Sequence, residues 1–232
     1  MESSVSSLKE DVTLDLVIFD LDGTLVEFKY RYIEAKKSVL HLLESIGISL
    51  PSDVTLKPTQ DLFDEIANQV NKNGSLDLDE VMMKVNEVIY QYEMEAATST
   101  TIFQDTKDVL EALKSMNIKI ALVTNNGKRA TEFVLTRFKI KDFFDVIVTR
   151  NDGFKLKPYP DGILWVLNKV GATKRKTLFV GDSHIDVKAG RAAGVIVVAL
   201  KSSFFESINE SEIKPDYLID RLSDILLLIR RL

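Results

Sequence analysis

Asp20 and Asp22 stand two positions apart at the end of the apolar run Val17-Ile18-Phe19, and Gly23-Thr24-Leu25 follows them. Side chains at i and i+2 of a strand point the same way. A strand ending at Asp20, with a turn after it, lets both carboxylates converge on one spot. Two close carboxylates repel each other unless a cation or a shared proton intervenes. The pair therefore predicts a divalent metal and proton-transfer chemistry rather than packing. The plain alternative is a strand leaving the core through a polar Asp-Gly turn.

Three further stretches carry polar and charged groups that could join the pair. Thr124-Asn125-Asn126 follows an apolar run, Lys155-Leu156-Lys157-Pro158-Tyr159-Pro160 places cations before a helical pattern, and Gly181-Asp182-Ser183-His184-Ile185-Asp186 follows another apolar run. Each also has an ordinary reading. Thr124-Asn125 can be a polar turn or helix cap, Lys157 a solvated lysine, and Asp186 a complement to a helix dipole. His184 reads as an exposed helix-start residue, and with His41 the only other histidine a histidine metal cluster is excluded.

The elements that would position these groups follow from periodicity. Apolar runs at Leu16–Phe19, Lys119–Val123, Val146–Val148, Thr177–Val180, Val195–Leu200 and Tyr217–Ile219 lack polar alternation, as strands buried on both faces do. Between them, Thr106–Met116, Arg129–Phe138, Asp161–Val170 and Ile185–Ala193 read as helices, and Leu222, Ile225, Leu226 and Ile229 form the apolar face of a last one. Trp165 is expected to pack within its helix. This alternation indicates a doubly wound α/β fold with a parallel sheet, whose ligands bind beyond the carboxyl ends of the strands. Every polar stretch named above would then reach one rim.

The segment after the first strand breaks the alternation. Val39, Leu43 and Ile46 keep helical spacing with Gly47 as a stop, Thr59–Val70 is a second helix, and Asp77 with Glu80 resembles a capping box ahead of the face Val81, Val85, Val88, Ile89, Tyr92. Met82 and Met83 are expected to pack this segment. Residues 28–100 thus read as a small all-α insert, 14–27 and 101–232 as the α/β core, and 1–13 as a flexible tail. Glu27 to Thr100 holds 13 acidic and 7 basic residues, whereas the rest is nearly neutral.

Together these residues resemble the haloacid dehalogenase superfamily, specifically its phosphatases. The match runs from about Leu14 to Asp220 through Asp20-Leu-Asp22-Gly-Thr24, Thr124-Asn125, Lys157-Pro158 and Gly181-Asp182-Ser183-x-x-Asp186. The resemblance implies a Rossmann-like core with a helical cap of the first type. It implies that Asp20 is a nucleophile forming a phosphoaspartyl intermediate, and that Asp22 is the general acid and then base. It implies that Thr124, Asn125 and Lys157 hold phosphate oxygens. It implies that Mg²⁺ is bound by Asp20, the carbonyl of Asp22, and Asp182, with Asp186 beside the metal or the lysine and Thr24 orienting the first loop. Members that cleave carbon–halogen bonds typically lack the second acid, and ion pumps carry lysine where Leu21 stands. The expected activity is hydrolysis of a small phosphate monoester, similar to phosphoglycolate phosphatases; a sugar phosphomutase and a non-catalytic binding protein on this fold are the alternatives. Lys29, Arg31, Lys36, Lys37 and Lys57 are the cap cations able to read a substrate carboxylate.

Composition bounds the rest. The 232 residues carry a net charge of −5 with 45% hydrophobic and 28% charged residues and no cysteine. These figures exclude a disulfide framework and a thiolate metal site, and argue against non-specific nucleic-acid binding. No apolar run reaches the ~20 residues of a membrane span. The expectation is a cytoplasmic enzyme, monomer or homodimer, with a small phosphorylated metabolite as partner, and with neither nucleic acid nor membrane.

Overall fold

The computed structural model describes residues 14–74, 76–201 and 214–232; the expected tail at 1–13 lies outside them. Six parallel strands form one sheet: β1 Leu16–Phe19, β2 Lys119–Val123, β3 Val146–Val148, β4 Thr177–Gly181, β5 Ile196–Leu200 and β6 Tyr217–Ile219, in the order β3-β2-β1-β4-β5-β6. Phe19 is level with Leu122 on one side and Val180 on the other, so the residues after these three strands emerge together.

Alternation along each strand divides the core into two layers. Val17, Phe19, Ile120, Leu122, Leu178 and Val180 face one way. They pack on α4 (Thr106–Ser115), α5 (Lys128–Arg137) and α8 (Asp224–Ile229). Leu16, Ile18, Ala121, Val123 and Phe179 face the other way, onto α6 (Asp161–Val170) and α7 (His184–Ala193). Both faces are covered, which is why the strands carry no polar alternation. Helix and strand ends differ from the sequence expectation by a residue or two, the usual latitude at frayed termini.

Residues 28–100 form the helices α1 (Tyr32–Ser45), α2 (Thr59–Asn73) and α3 (Leu78–Ser99), with a 3₁₀ turn at Ser52–Leu56. Val39, Leu43, Leu62, Ile66, Val70, Val81, Val85 and Ile89 make a hydrophobic cluster of their own. Asp77 caps α3 by accepting the Glu80 N–H at 2.9 Å. The chain enters and leaves this lobe at adjacent points: Glu27 donates its N–H to Thr101 O (2.8 Å), the Thr100 hydroxyl donates to Glu27 O (2.7 Å), and Val26 bridges Ile102.

Two packing expectations are corrected. Met83 is 65% exposed; only Met82 packs against the lobe's cluster, because Met83 lies one residue further round α3. Trp165 is on the outer side of α6, with Phe154 at 5.2 Å between ring centroids, because Ile163, Val166 and Leu167 take the face toward the sheet.

Candidate active site

The central strand delivers the first carboxylate. Asp20 continues β1, its N–H bonding to Val180 O at 2.9 Å, and is buried. The chain then turns tightly: the N–H groups of Thr24 and Leu25 reach Leu21 O at 3.3 and 2.9 Å, and Gly23 holds a φ of +79°. A Cβ on Gly23 would lie 2.2 Å from Asp182 Oδ2, so the first loop abuts the Asp182 carboxylate with no room to spare. Thr24 is buried, and its hydroxyl has no hydrogen-bond partner among the described residues. Backbone bonds hold this loop.

Lys157, only 4% exposed, joins two of the acids. Its Nζ lies 2.6 Å from Asp20 Oδ1 and 2.6 Å from Asp186 Oδ1. Its backbone is clamped by Asn125, whose Oδ1 accepts the Lys157 N–H (2.9 Å) and whose Nδ2 donates to Lys157 O (3.0 Å). Lys155 instead places its exposed ammonium over the Tyr159 ring, 4.7 Å from the centroid. Asp186 is fixed from below. Ser183 starts α7 as an N-cap, accepting the Asp186 N–H, and donates both its own N–H (3.0 Å) and its hydroxyl (2.5 Å) to Asp186 Oδ2. A Cβ at Gly181 would lie 2.4 Å from Asp186 Cβ, so only glycine lets α7 start this close to β4.

Asp22 points its carboxylate at Asn126, whose Nδ2 donates to Oδ2 at 2.5 Å. Thr124 is buried at the end of β2 and accepts the Asn126 N–H at 3.2 Å. Thr124, Asn125, Lys157, Asp182 and Asp186 all line a cavity of about 220 Å³ together with Asp20 and Asp22. Tyr30, Tyr32, Lys36, Lys57 and Glu93 close it from the helical lobe.

Burial pushes the Asp20 carboxyl up to about 7; Lys157 pulls it down, and Asp186 and Asp22 add repulsion. Burial also pushes Asp182 up to about 8, with the Asp186 and Asp20 charges reinforcing it. Asp22 rises to about 6 through burial, restrained by the Asn126 hydrogen bond and raised further by Glu93. Burial works against the Lys157 charge, but Asp186 and Asp20 outweigh it and hold its pKa above the ordinary lysine range. Crowded acids with raised pKa values are a mark of functional sites. Asp20, Asp182 and Asp186 each offer an oxygen within 4.8 Å of the others. An oxygen-only, buried acidic set fits a hard divalent cation such as Mg²⁺.

Asn126, Arg150 and Glu93 have no role in the sequence reading, and Lys36 stands there only as one of five cap cations. Asn126 follows Thr124-Asn125 directly, and only its side-chain bond to Asp22 marks its part in the site. Arg150 lies just past β3, whose carboxyl end opens on the same rim. Glu93 continues the buried stripe Val81, Val85, Ile89 at four-residue spacing, and Lys36 continues Val39, Leu43 backwards. A charge in an apolar stripe was the available signal for both. His184, expected exposed, is half-buried and lines the cavity, and burial lowers its pKa.

Comparisons with known proteins bear on the family and the fold. The family model for haloacid dehalogenase-like hydrolase matches residues 17–200. Pyrophosphatase PpaX of Bacillus mycoides strain KBAB4 is 27% identical over 94% of this chain and 98% of its own length; that of Bacillus cereus strain AH820 is 28% identical over 92% and 95%. A crystal structure from Haemophilus somnus 129pt, described as a predicted phosphoglycolate phosphatase, superposes with a TM-score of 0.65 at 25% identity, covering 93% of this chain and 97% of that one. The carboxylate rim, the parallel sheet and the match across most of its length place this chain in the haloacid dehalogenase-like hydrolase family.

Proposed function

We propose that the protein is a Mg²⁺-dependent phosphatase acting on a small phosphate monoester or anhydride through a phosphoaspartyl intermediate. One observation carries the reading: the Lys157 ammonium bridges Asp20 and Asp186 at 2.6 Å each, on a rim that also holds Asp22 and Asp182. A nucleophilic carboxylate attacking an anionic phosphoryl group needs such positive charge beside it.

Asp20, Asp182 and the backbone carbonyl of Asp22 would hold the ion. When bound, it offsets the charge of the phosphoryl oxygens and of the acids around them. Asp186 has both oxygens engaged by Lys157 and Ser183, and serves as the anchor of the lysine. Asp20 attacks phosphorus as the bond to the leaving oxygen breaks, and Asp22 gives that oxygen its proton. Asp22 then takes a proton from water as the water oxygen attacks phosphorus, and the bond to Asp20 breaks to free phosphate. Thr124 and Asn125 stand where they can hold phosphoryl oxygens, and Asn126 keeps Asp22 aimed.

Residues 28–100 act as a cap over this chemistry, with residues 14–27 and 101–232 as the core. Lining from both lobes supports that reading, because a helical wall over the acids can limit the access of water to the reacting atoms. No helix among the described residues is long and apolar enough to cross a membrane, and a cytoplasmic location suits a small-metabolite enzyme without cysteine.

Hydrolysis of para-nitrophenyl phosphate is the direct test. Turnover should require Mg²⁺ and should vanish in Asp20→Asn. Persistent turnover in that variant would remove Asp20 as the nucleophile. Pyrophosphate, phosphoglycolate, sugar phosphates and nucleoside monophosphates then rank the substrates.

A further inference from the structure

Five cations of the helical lobe were candidates for reading the substrate, and the structure separates them. Lys29 pairs with Glu27 (3.0 Å), Arg31 with Glu95 (2.6 Å) and Lys57 with Asp53 (2.9 Å), all at the surface, and Lys37 is exposed. Lys36 alone is buried, at 4% exposure, on the stripe of α1 that faces inward. It lines the same cavity as Asp20 and Lys157.

Its surroundings leave its charge uncompensated. One donor goes to the carbonyl of Lys57, and the ammonium lies 5.6 Å from the centre of the Tyr32 ring. Among the described residues no carboxylate forms an ion pair with it. Burial pulls its pKa down to about 8, with Asp61 acting the other way from a distance. Glu93, the acid that the lobe does place on the cavity wall, is fully engaged by Arg150. A buried ammonium with donors to spare and no counter-ion is costly unless an anion arrives with the ligand.

We infer that Lys36 is the specificity residue for a second anionic group, carboxylate or phosphate, carried on the leaving-group side of the substrate. The inference rests on the phosphatase reading and deepens it: the reacting phosphoryl group sits at Asp20 and Lys157, and the far end of the molecule meets Lys36. The cavity is smaller than the ~300–1,000 Å³ of clefts for drug-sized ligands. The two anionic groups must therefore be separated by only a few bonds. Substrates such as an inorganic diphosphate or a phosphorylated hydroxy acid satisfy this, whereas a nucleoside monophosphate has neither the second anion nor the size.

Binding of non-hydrolysable ligands tests the assignment apart from catalysis. Methylphosphonate, methylenediphosphonate and 3-phosphonopropionate are titrated calorimetrically, with Mg²⁺ present, into the wild type, Lys36→Met and Lys36→Arg. The wild type should prefer the two ligands that carry a second anionic group over methylphosphonate on the order of 10- to 100-fold. Lys36→Met, of similar shape, should lose that preference, and Lys36→Arg should keep most of it. A difference between the diphosphonate and the phosphonopropionate then says which second anion is read. A preference that survives in a folded Lys36→Met, or one absent from the wild type, overturns the inference and leaves Lys36 as a tether for the Lys57 carbonyl. Failure of the wild type to hydrolyse para-nitrophenyl phosphate counts against the phosphatase reading alone, because the binding comparison does not depend on it.

Discussion

Glu93 of α3 and Arg150 after β3 face each other as a parallel two-bond pair, with side chains only 1% and 5% exposed. Arg150 Nη2 donates to Glu93 Oε2 at 3.1 Å while Nη1 engages Oε1. Glu93 Oε1 also accepts the Gly127 N–H (3.1 Å), and Arg150 donates to Asn125 O (3.2 Å) and Asn86 Oδ1 (3.1 Å). The pair thus pins the Asn125-Asn126-Gly127 loop, which aims Asp22 and clamps Lys157, to the helical lobe. Removing one member of a buried pair costs about 3–5 kcal/mol, because the other charge is left stranded. Glu93→Ala should lower the melting temperature by on the order of 10 °C. Glu93→Leu with Arg150→Met should regain most of that stability yet still turn over slowly, because the loop has lost its anchor. Thermal denaturation and para-nitrophenyl phosphate kinetics on the three proteins check both halves. Full activity in the double variant would show that the loop holds its shape unaided.

Stability should depend on pH and on Mg²⁺ together. Asp22, Asp20 and Asp182 rise from an ordinary 3.8 to about 6, 7 and 8. Between the unfolded and folded values the native state binds more protons than the unfolded one, so stability falls as pH rises through that window. The contribution is fully present below about pH 4 and is lost by about pH 8. A divalent cation replaces the lost positive charge. The rise in melting temperature on adding Mg²⁺ should therefore be small near pH 5 and larger by several degrees near pH 8. Each pKa unit is worth about 1.4 kcal/mol, and 1 kcal/mol moves a chain of this size by about 2–4 °C. An equal Mg²⁺ effect at both pH values would mean that these acids do not hold the ion.

Gly181→Ala should disable the site while sparing much of the fold. The added methyl group meets Asp186 Cβ and Cγ at 2.4 and 2.5 Å, forcing the lysine anchor outward. Turnover should drop by about 10²-fold or more, the usual consequence of misplacing a group that stabilises developing charge. Far-ultraviolet circular dichroism should remain native-like. Wild-type kinetics in this variant would place the electrostatic work elsewhere than on Lys157 and Asp186.

The sheet was legible because both of its faces are covered, which turns each strand into an unbroken apolar run bounded by turn residues. Asp20, Asp22 and Asp182 were legible because polar residues directly after such runs must surface at one rim, whereas Lys157, ahead of a helix, and Asp186, inside one, were legible through the motifs of the resemblance. Glu93 and Arg150 have no role in the sequence reading, and Lys36 is one of five cap cations there that the sequence does not separate. Their significance lies in which partner each meets across two lobes, and no local pattern encodes a pairing between positions 93 and 150. Asn125 shows the same limit from another side. Its motif was visible, but the two bonds clasping the Lys157 backbone depend on a loop 32 residues away.

The position of β1 between β2 and β4 has a consequence for biosynthesis. Residue 20 is translated before both of its flanking strands, the second of which comes some 160 residues later. Until Thr177–Gly181 has left the ribosome the first strand has an unpaired edge, and until Lys157 has emerged its acids lack the ammonium that restrains them. The carboxylate rim therefore cannot assemble before residue 182 has emerged, and the helical lobe, whose contacts are local in sequence, is free to condense first.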